Sequence, residues 1–263
     1  MKAKINGIEL AFDLIDGHPP ALLLLHGFGL NRTIWRELIE NYLGGQQVIV
    51  PDLRGHGESD VPPGPYSMAL LAQDMAGLLE SLGVERAIVC GHSMGGYVTL
   101  AFAEQFPEKL AGLGLITTTA LADSADKRTG RYDLIKQVQK RGSITVAESL
   151  APRLSNVLGV VNQSHALISQ CDPMGLIGSL QGMADRDDKT DVLQKIKVPA
   201  LAVAGEDDRI TDYAESQAMA AAICEGTFIG MPSVGHMPML ENPNMLGQAL
   251  CALTERVRTA SFD

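Results

Sequence analysis

Cysteine is sparse in this 263-residue chain: four residues, Cys90, Cys171, Cys224 and Cys251, lie far apart and form no Cys-x-x-Cys pair. That spacing excludes a zinc knuckle or a dithiol redox centre, and it predicts reduced, mostly buried thiols in a cytoplasmic protein. Positive charge is also short. Lys and Arg total 21 against 31 Asp and Glu, a formal net charge of −10 that argues against a nucleic-acid partner. No long apolar segment follows Met1–Gly7, so neither a secretory signal nor a membrane span is expected. Repeats and low-complexity runs are missing too, and the single tryptophan, Trp35, suits core packing and pocket lining equally. No cofactor or metal site is implied. What remains is 46% hydrophobic and 20% charged, the composition of a globule with a large core, at a length that suits one large α/β domain.

Apolar runs of strand length alternate with helical patterns, which predicts a mostly parallel sheet covered by helices on both faces. An antiparallel hairpin opens the chain, with Asn6-Gly7 as its turn before Ile8 to Leu14. Strands are expected at Ala21–Leu25, Gln47–Val50, Arg86–Cys90, Leu110–Thr117, Val198–Ala204 and Gly226–Ile229. Between them the spacing predicts helices over Thr33–Leu43, Ser67–Leu82, Gly95–Gln105 and Asp212–Ile223, with a last one starting at Asn242-Pro243. Residues 120–191 break the alternation. Their apolar positions recur at helical spacing, as in Leu134, Ile135 and Val138, and a further helix is expected to start at Asp172-Pro173. A connection this long with apolar faces of its own reads as a helical cap inserted after the sixth strand, leaving 1–119 and 192–263 as the core domain.

The chemistry concentrates at Gly91-His92-Ser93-Met94-Gly95, between the apolar run Ala87–Cys90 and a helix. Glycine, any residue, serine, any residue, glycine at a strand-to-helix turn is the pattern of a nucleophile elbow, because so tight a turn leaves no room for flanking side chains. Upstream, the strand Ala21–Leu25 ends in His26-Gly27-Phe28-Gly29; downstream, Val198–Ala204 ends in Gly205-Glu206-Asp207-Asp208, followed later by Gly235-His236-Met237-Pro238. The order is serine, acid, histidine.

These segments, with Pro51-Asp52-Leu53-Arg54-Gly55-His56-Gly57-Glu58-Ser59, resemble the α/β-hydrolase superfamily, in its cap-bearing serine esterase, lactonase and carbon–carbon hydrolase branch. The likeness spans essentially the whole chain. It implies Ser93 as nucleophile, His236 as base and Asp208 as acid, with Asp207 as the alternative acid. Phe28 and Met94 would supply the backbone N–H groups of an oxyanion hole, each such donor being worth about 10²- to 10³-fold in turnover. His26 is expected to order the oxyanion loop, His56 to lie in the Arg54-Gly55-His56-Gly57 turn, and His92 to point away beside the nucleophile.

The activity so implied is hydrolysis of carboxylic esters of small to medium apolar substrates through an acyl-enzyme. An enol-lactonase or a carbon–carbon bond hydrolase of an aromatic-degradation pathway is the alternative, and a triad-bearing ligand receptor a more distant one. The expected partner is a small-molecule ester or lactone. Oligomeric state is not legible.

Overall fold

The computed structural model describes residues 1–260. The hairpin is β1 (Lys2–Ile5) and β2 (Ile8–Ile15), turned by Asn6 and Gly7 at φ 47° and 79°. β3 (His18–Leu25) follows, then a 3₁₀ turn at Arg32–Trp35 running into α1 (Arg36–Tyr42), β4 (Gln46–Pro51) and α2 (Met68–Ser81). The helix expected over Thr33–Leu43 is therefore split, since Asn31 accepts from the Thr33 N–H and tightens the first turn. Ser67 caps α2 by accepting from the Leu70 N–H.

β5 (Ala87–His92) leads to α3 (Met94–Gln105) and β6 (Leu110–Ile116). Five helices come next: α4 (Ala125–Arg141), α5 (Ile144–Leu154), α6 (Leu158–Ser169), α7 (Pro173–Ala184) and α8 (Thr190–Leu193). The chain closes with β7 (Ala200–Gly205), α9 (Tyr213–Ala222), β8 (Gly226–Met231), the short α10 (Pro238–Glu241) and α11 (Pro243–Ala260). Asp172 caps α7 through the Met174 N–H with Pro173 at the first helical position, as the sequence predicts.

Among the described residues eight strands form one sheet in the order β1-β2-β4-β3-β5-β6-β7-β8, parallel from β4 to β8 and antiparallel only at β1 and β2. Ala21–Leu25, β5, β6 and β7 are wholly buried, which is why they read as unbroken apolar runs. Two groups of helices cover the sheet: α1 packs on α11, while α2, α3, α8 and α9 are linked by mutual packing. Inside the insertion α4 lies on α5 and α7, and α5 on α6. Trp35 is fully buried in the core. The cysteines depart from expectation, because Cys90 alone is buried, Cys171 is half-buried, and Cys224 and Cys251 are exposed. No described helix is long and apolar enough to cross a membrane.

Candidate active site

Ser93 is the one residue between β5 and α3, and its backbone sits at φ 51°, ψ −114°. A non-glycine residue there costs of order 1–3 kcal/mol, so the surroundings must hold it in place. They do so with three bonds: Ser93 N–H donates to Ile116 O (3.0 Å), while the Gly96 N–H (2.9 Å) and Thr118 Oγ1 (2.7 Å) donate to Ser93 O. The flanking glycines are required by contact. A Cβ on Gly91 would lie 2.1 Å from Gly95 O, and one on Gly95 would lie 2.6 Å from Leu25 O. The result is a serine at the amino end of α3, with the positive end of the helix beneath it.

His236 is 1% exposed, and its Nδ1 lies 2.8 Å from Asp208 Oδ2. The same carboxylate accepts from Ile210 N–H (2.8 Å), Thr211 N–H (3.3 Å) and the Thr211 hydroxyl. Burial of Asp208 works to raise its pKa, but His236 and these donors outweigh it and hold the carboxyl below its ordinary value. An ionised carboxylate at Nδ1 keeps the proton on that nitrogen and leaves the Nε2 lone pair without a protein partner among the described residues. Asp207, the alternative acid, is exposed, and its N–H is tied to Val234 O.

Backbone clamps tie His236 and Ser93 to the same stretch of chain. Thr117 Oγ1 donates to His236 O at 3.1 Å while its neighbour Thr118 holds Ser93 O. The His236 N–H donates to Leu154 O at the end of α5, and Glu241 accepts from the N–H groups on either side, Gly235 and Met237, at 3.0 Å each. His92 corrects an expectation: it does not point away, but turns its Nε2 to His236 O at 2.9 Å, with the two rings 5.0 Å apart. Thr117, Thr118, Thr211 and Glu241 have no motif signal, although the threonine run at the end of β6 and a glutamate five residues past the histidine are visible once the geometry is known.

Neither Phe28 N–H nor Met94 N–H donates to a protein acceptor among the described residues, as two oxyanion donors require. The loop carrying Phe28 is fixed by histidines. His26 Nδ1 donates to Gly27 O (2.8 Å) and its Nε2 accepts from Leu53 N–H (2.9 Å), while His56 Nε2 accepts from Gly29 N–H (3.2 Å). Arg54 in the same turn forms a two-pronged pair with buried Asp74, at 2.8 Å on each arm.

Burial pushes His26 down to about 4 and His56 and His92 to about 3, so all three are neutral near pH 7. The unfolded chain protonates them from about pH 6.5, whereas the folded chain refuses the protons until far lower. Stability is therefore expected to be insensitive to these groups above pH 7 and to fall as pH drops from about 6 to 4, each proton difference adding about 1.4 kcal/mol per pH unit to the slope. Urea midpoints across that range check this; midpoints constant down to pH 4 contradict it.

A cavity of about 370 Å³ opens beside these groups, reached by Phe28, Ile210 and Thr211 on the sheet side and by α4, α5 and α7 of the insertion. Leu134, Val146, Leu150 and Leu180 give it an apolar wall.

An open parallel sheet, a serine on a strained strand-to-helix turn, and a buried acid–histidine pair at the carboxyl edge define a hydrolase architecture. The sequence profile of the alpha/beta hydrolase fold family matches residues 20–165, more than half of the chain, and this protein belongs to that family. Among solved structures it is similar to a thermophilic esterase from Thermogutta terrifontis with malate bound, at 37% identity, 98% coverage of both chains and a TM-score of 0.93. The 3-oxoadipate enol-lactonase 2 of Acinetobacter baylyi is 29% identical over 90% of this chain and 89% of its own. The enol-lactonase of Burkholderia xenovorans LB400, at 24% identity and a TM-score of 0.88 over 96% of this chain and 99% of that one, supports the fold.

Proposed function

We propose that this chain is a serine carboxylesterase acting through an acyl-enzyme, with Ser93 as nucleophile, His236 as general base and acid, and Asp208 as its orienting partner. The observation that carries the reading is the His236–Asp208 pair at 2.8 Å, tied through Thr117 and Thr118 to the backbone of Ser93. Ser93 Oγ attacks the ester carbonyl carbon as its proton passes to His236 Nε2, and the Asp208 carboxylate stabilises the imidazolium. The negative charge that develops on the carbonyl oxygen meets the N–H groups of Phe28 and Met94. His236 then returns the proton to the leaving alcohol, and a water activated by the same nitrogen cleaves the acyl-enzyme. Among the described residues Ser93 Oγ and His236 Nε2 are not hydrogen-bonded to each other, a bond that tightens when substrate fills such a site.

In this reading 1–119 and 192–263 form the catalytic core, 120–191 is the cap, and the protein works in the cytoplasm. A second reading, enol-lactone hydrolysis, is favoured by the enol-lactonase relative, whose likeness runs over 90% of the chain. A panel of aryl and alkyl esters, enol-lactones and dienoate diketones separates them. Repeated turnover of simple esters with little on enol-lactones supports the esterase; the opposite ranking supports the lactonase. Hydrolysis of neither, with cleavage of the diketone, overturns both.

A further inference from the structure

The cavity that opens at Phe28 and Thr211 carries a charge opposite to that of the whole molecule. The chain has a formal charge of −10, yet Lys127, Arg131, Arg153 and Arg186 line this cavity against two carboxylates, Asp123 and Glu215. Arg131 and Arg186 converge on one carboxylate, that of Asp123, whose side chain is 1% exposed: Arg131 bonds it through Nε and through Nη2 (3.2 Å), and Arg186 Nη1 lies 2.7 Å away. One carboxylate neutralises one guanidinium and leaves the other uncompensated. Lys127 lies one turn before Arg131 on α4, and Arg153 is in the last turn of α5; neither has an ion pair among the described residues. With Glu215 counted, the lining retains an excess of two positive charges. In a cleft with apolar walls such an excess concentrates field lines and raises the local concentration of anions.

We propose that the substrate of this site is an ester or lactone bearing a carboxylate remote from the scissile bond, held by Arg153 and Lys127 with the Arg131–Asp123–Arg186 cluster behind them. The inference rests on the serine-hydrolase reading and names its substrate class. Phe28, Ile210 and Thr211 mark the reacting end of the cavity, because they adjoin the oxyanion loop and Asp208. All four cations lie on the insertion, so the apolar chain of the substrate meets the wall between the two ends while its charged end reaches the helices. A planar carboxylate fits the fork of the Arg153 guanidinium, and Lys127 adds a second, compact charge. Arg186 is stacked 4.1 Å over the Tyr97 ring and bonded to Met183 O (2.9 Å) and Leu121 O (3.0 Å), so it is a fixed background charge.

The test compares kcat/KM for mono-4-nitrophenyl adipate and for 4-nitrophenyl 6-methylheptanoate, which has the same chain with an uncharged branched end, at low and high salt. The charged ester is expected to be preferred roughly tenfold at low salt. That preference should shrink as salt is added and in the double variant Lys127→Gln/Arg153→Gln, the loss falling on KM rather than kcat. Both positions are exposed, so the fold is not at stake. Equal or better use of the uncharged ester at low salt overturns the inference, as does a preference that survives the double substitution, and either leaves the serine-hydrolase reading standing. If neither ester is turned over, the inference and the carboxylesterase reading fall together.

Discussion

Ser93→Ala is expected to lower turnover of a 4-nitrophenyl ester by about 10⁶-fold, to a residual rate that the oxyanion donors and substrate binding alone sustain. The size of the effect follows from what the residue does: without the hydroxyl there is no covalent intermediate, and the reaction must proceed by direct attack of water. Stability should change little. The backbone bonds that hold residue 93 at positive φ run from its own N–H and carbonyl to Ile116, Gly96 and Thr118, and alanine keeps all of them. A purified variant that melts with the wild type but has lost turnover therefore separates chemistry from folding. A loss of less than about tenfold would mean that Ser93 is not the nucleophile.

Asp208→Asn carries the second large effect, expected at about 10⁴-fold in kcat with the fold intact. An asparagine at this position can still accept from Ile210 and Thr211, but its amide can present N–H to His236 Nδ1 where the carboxylate presented a lone pair. The imidazole then favours the tautomer with its proton on Nε2, the nitrogen that must accept the proton of Ser93. The imidazolium also loses its counter-charge. Asp207→Asn, by contrast, changes an exposed side chain whose backbone alone is engaged, through Val234, and should stay within a few-fold of wild type. Steady-state kinetics of the two variants side by side check the assignment, and a reversed ranking would move the acid by one residue.

The parts of this molecule that were legible in the sequence are those fixed by short-range geometry. Gly91 and Gly95 are dictated by clashes with atoms a few residues away or on the adjoining strand, so the elbow is visible in five letters. Asp172-Pro173 announces α7 because a cap and a fixed φ act locally. The sequence leaves Trp35 open between core and pocket, and packing places it in the core. The clamps on His236 could not be read at all. Thr117 reaches His236 across 119 residues and His92 reaches it across 144, through carbonyl oxygens that every residue possesses. The direction of His92 is hidden for the same reason: adjacency to the serine says nothing about which distant backbone its ring will meet.

The cationic wall was hidden in another way. Lys127 and Arg131 stand four apart on α4, a spacing that reads as the solvated face of a helix, and Arg153 and Arg186 come from elsewhere in the insertion. Asp123 gathers two of the four, which no linear pattern announces. Even the apolar wall was legible only as helical periodicity, because which face of each helix turns to the cavity depends on how α4, α5 and α7 pack together.

Mass spectrometry of the protein treated with a fluorophosphonate decides whether Ser93 is the activated nucleophile. Such a reagent is attacked by a serine whose neighbour removes its proton, and the phosphonyl group stays on that oxygen. One adduct is expected on the wild-type chain, located to the peptide containing Ser93, and none on Ser93→Ala. An adduct that persists on the alanine variant, or that maps to another residue in the wild type, would contradict it.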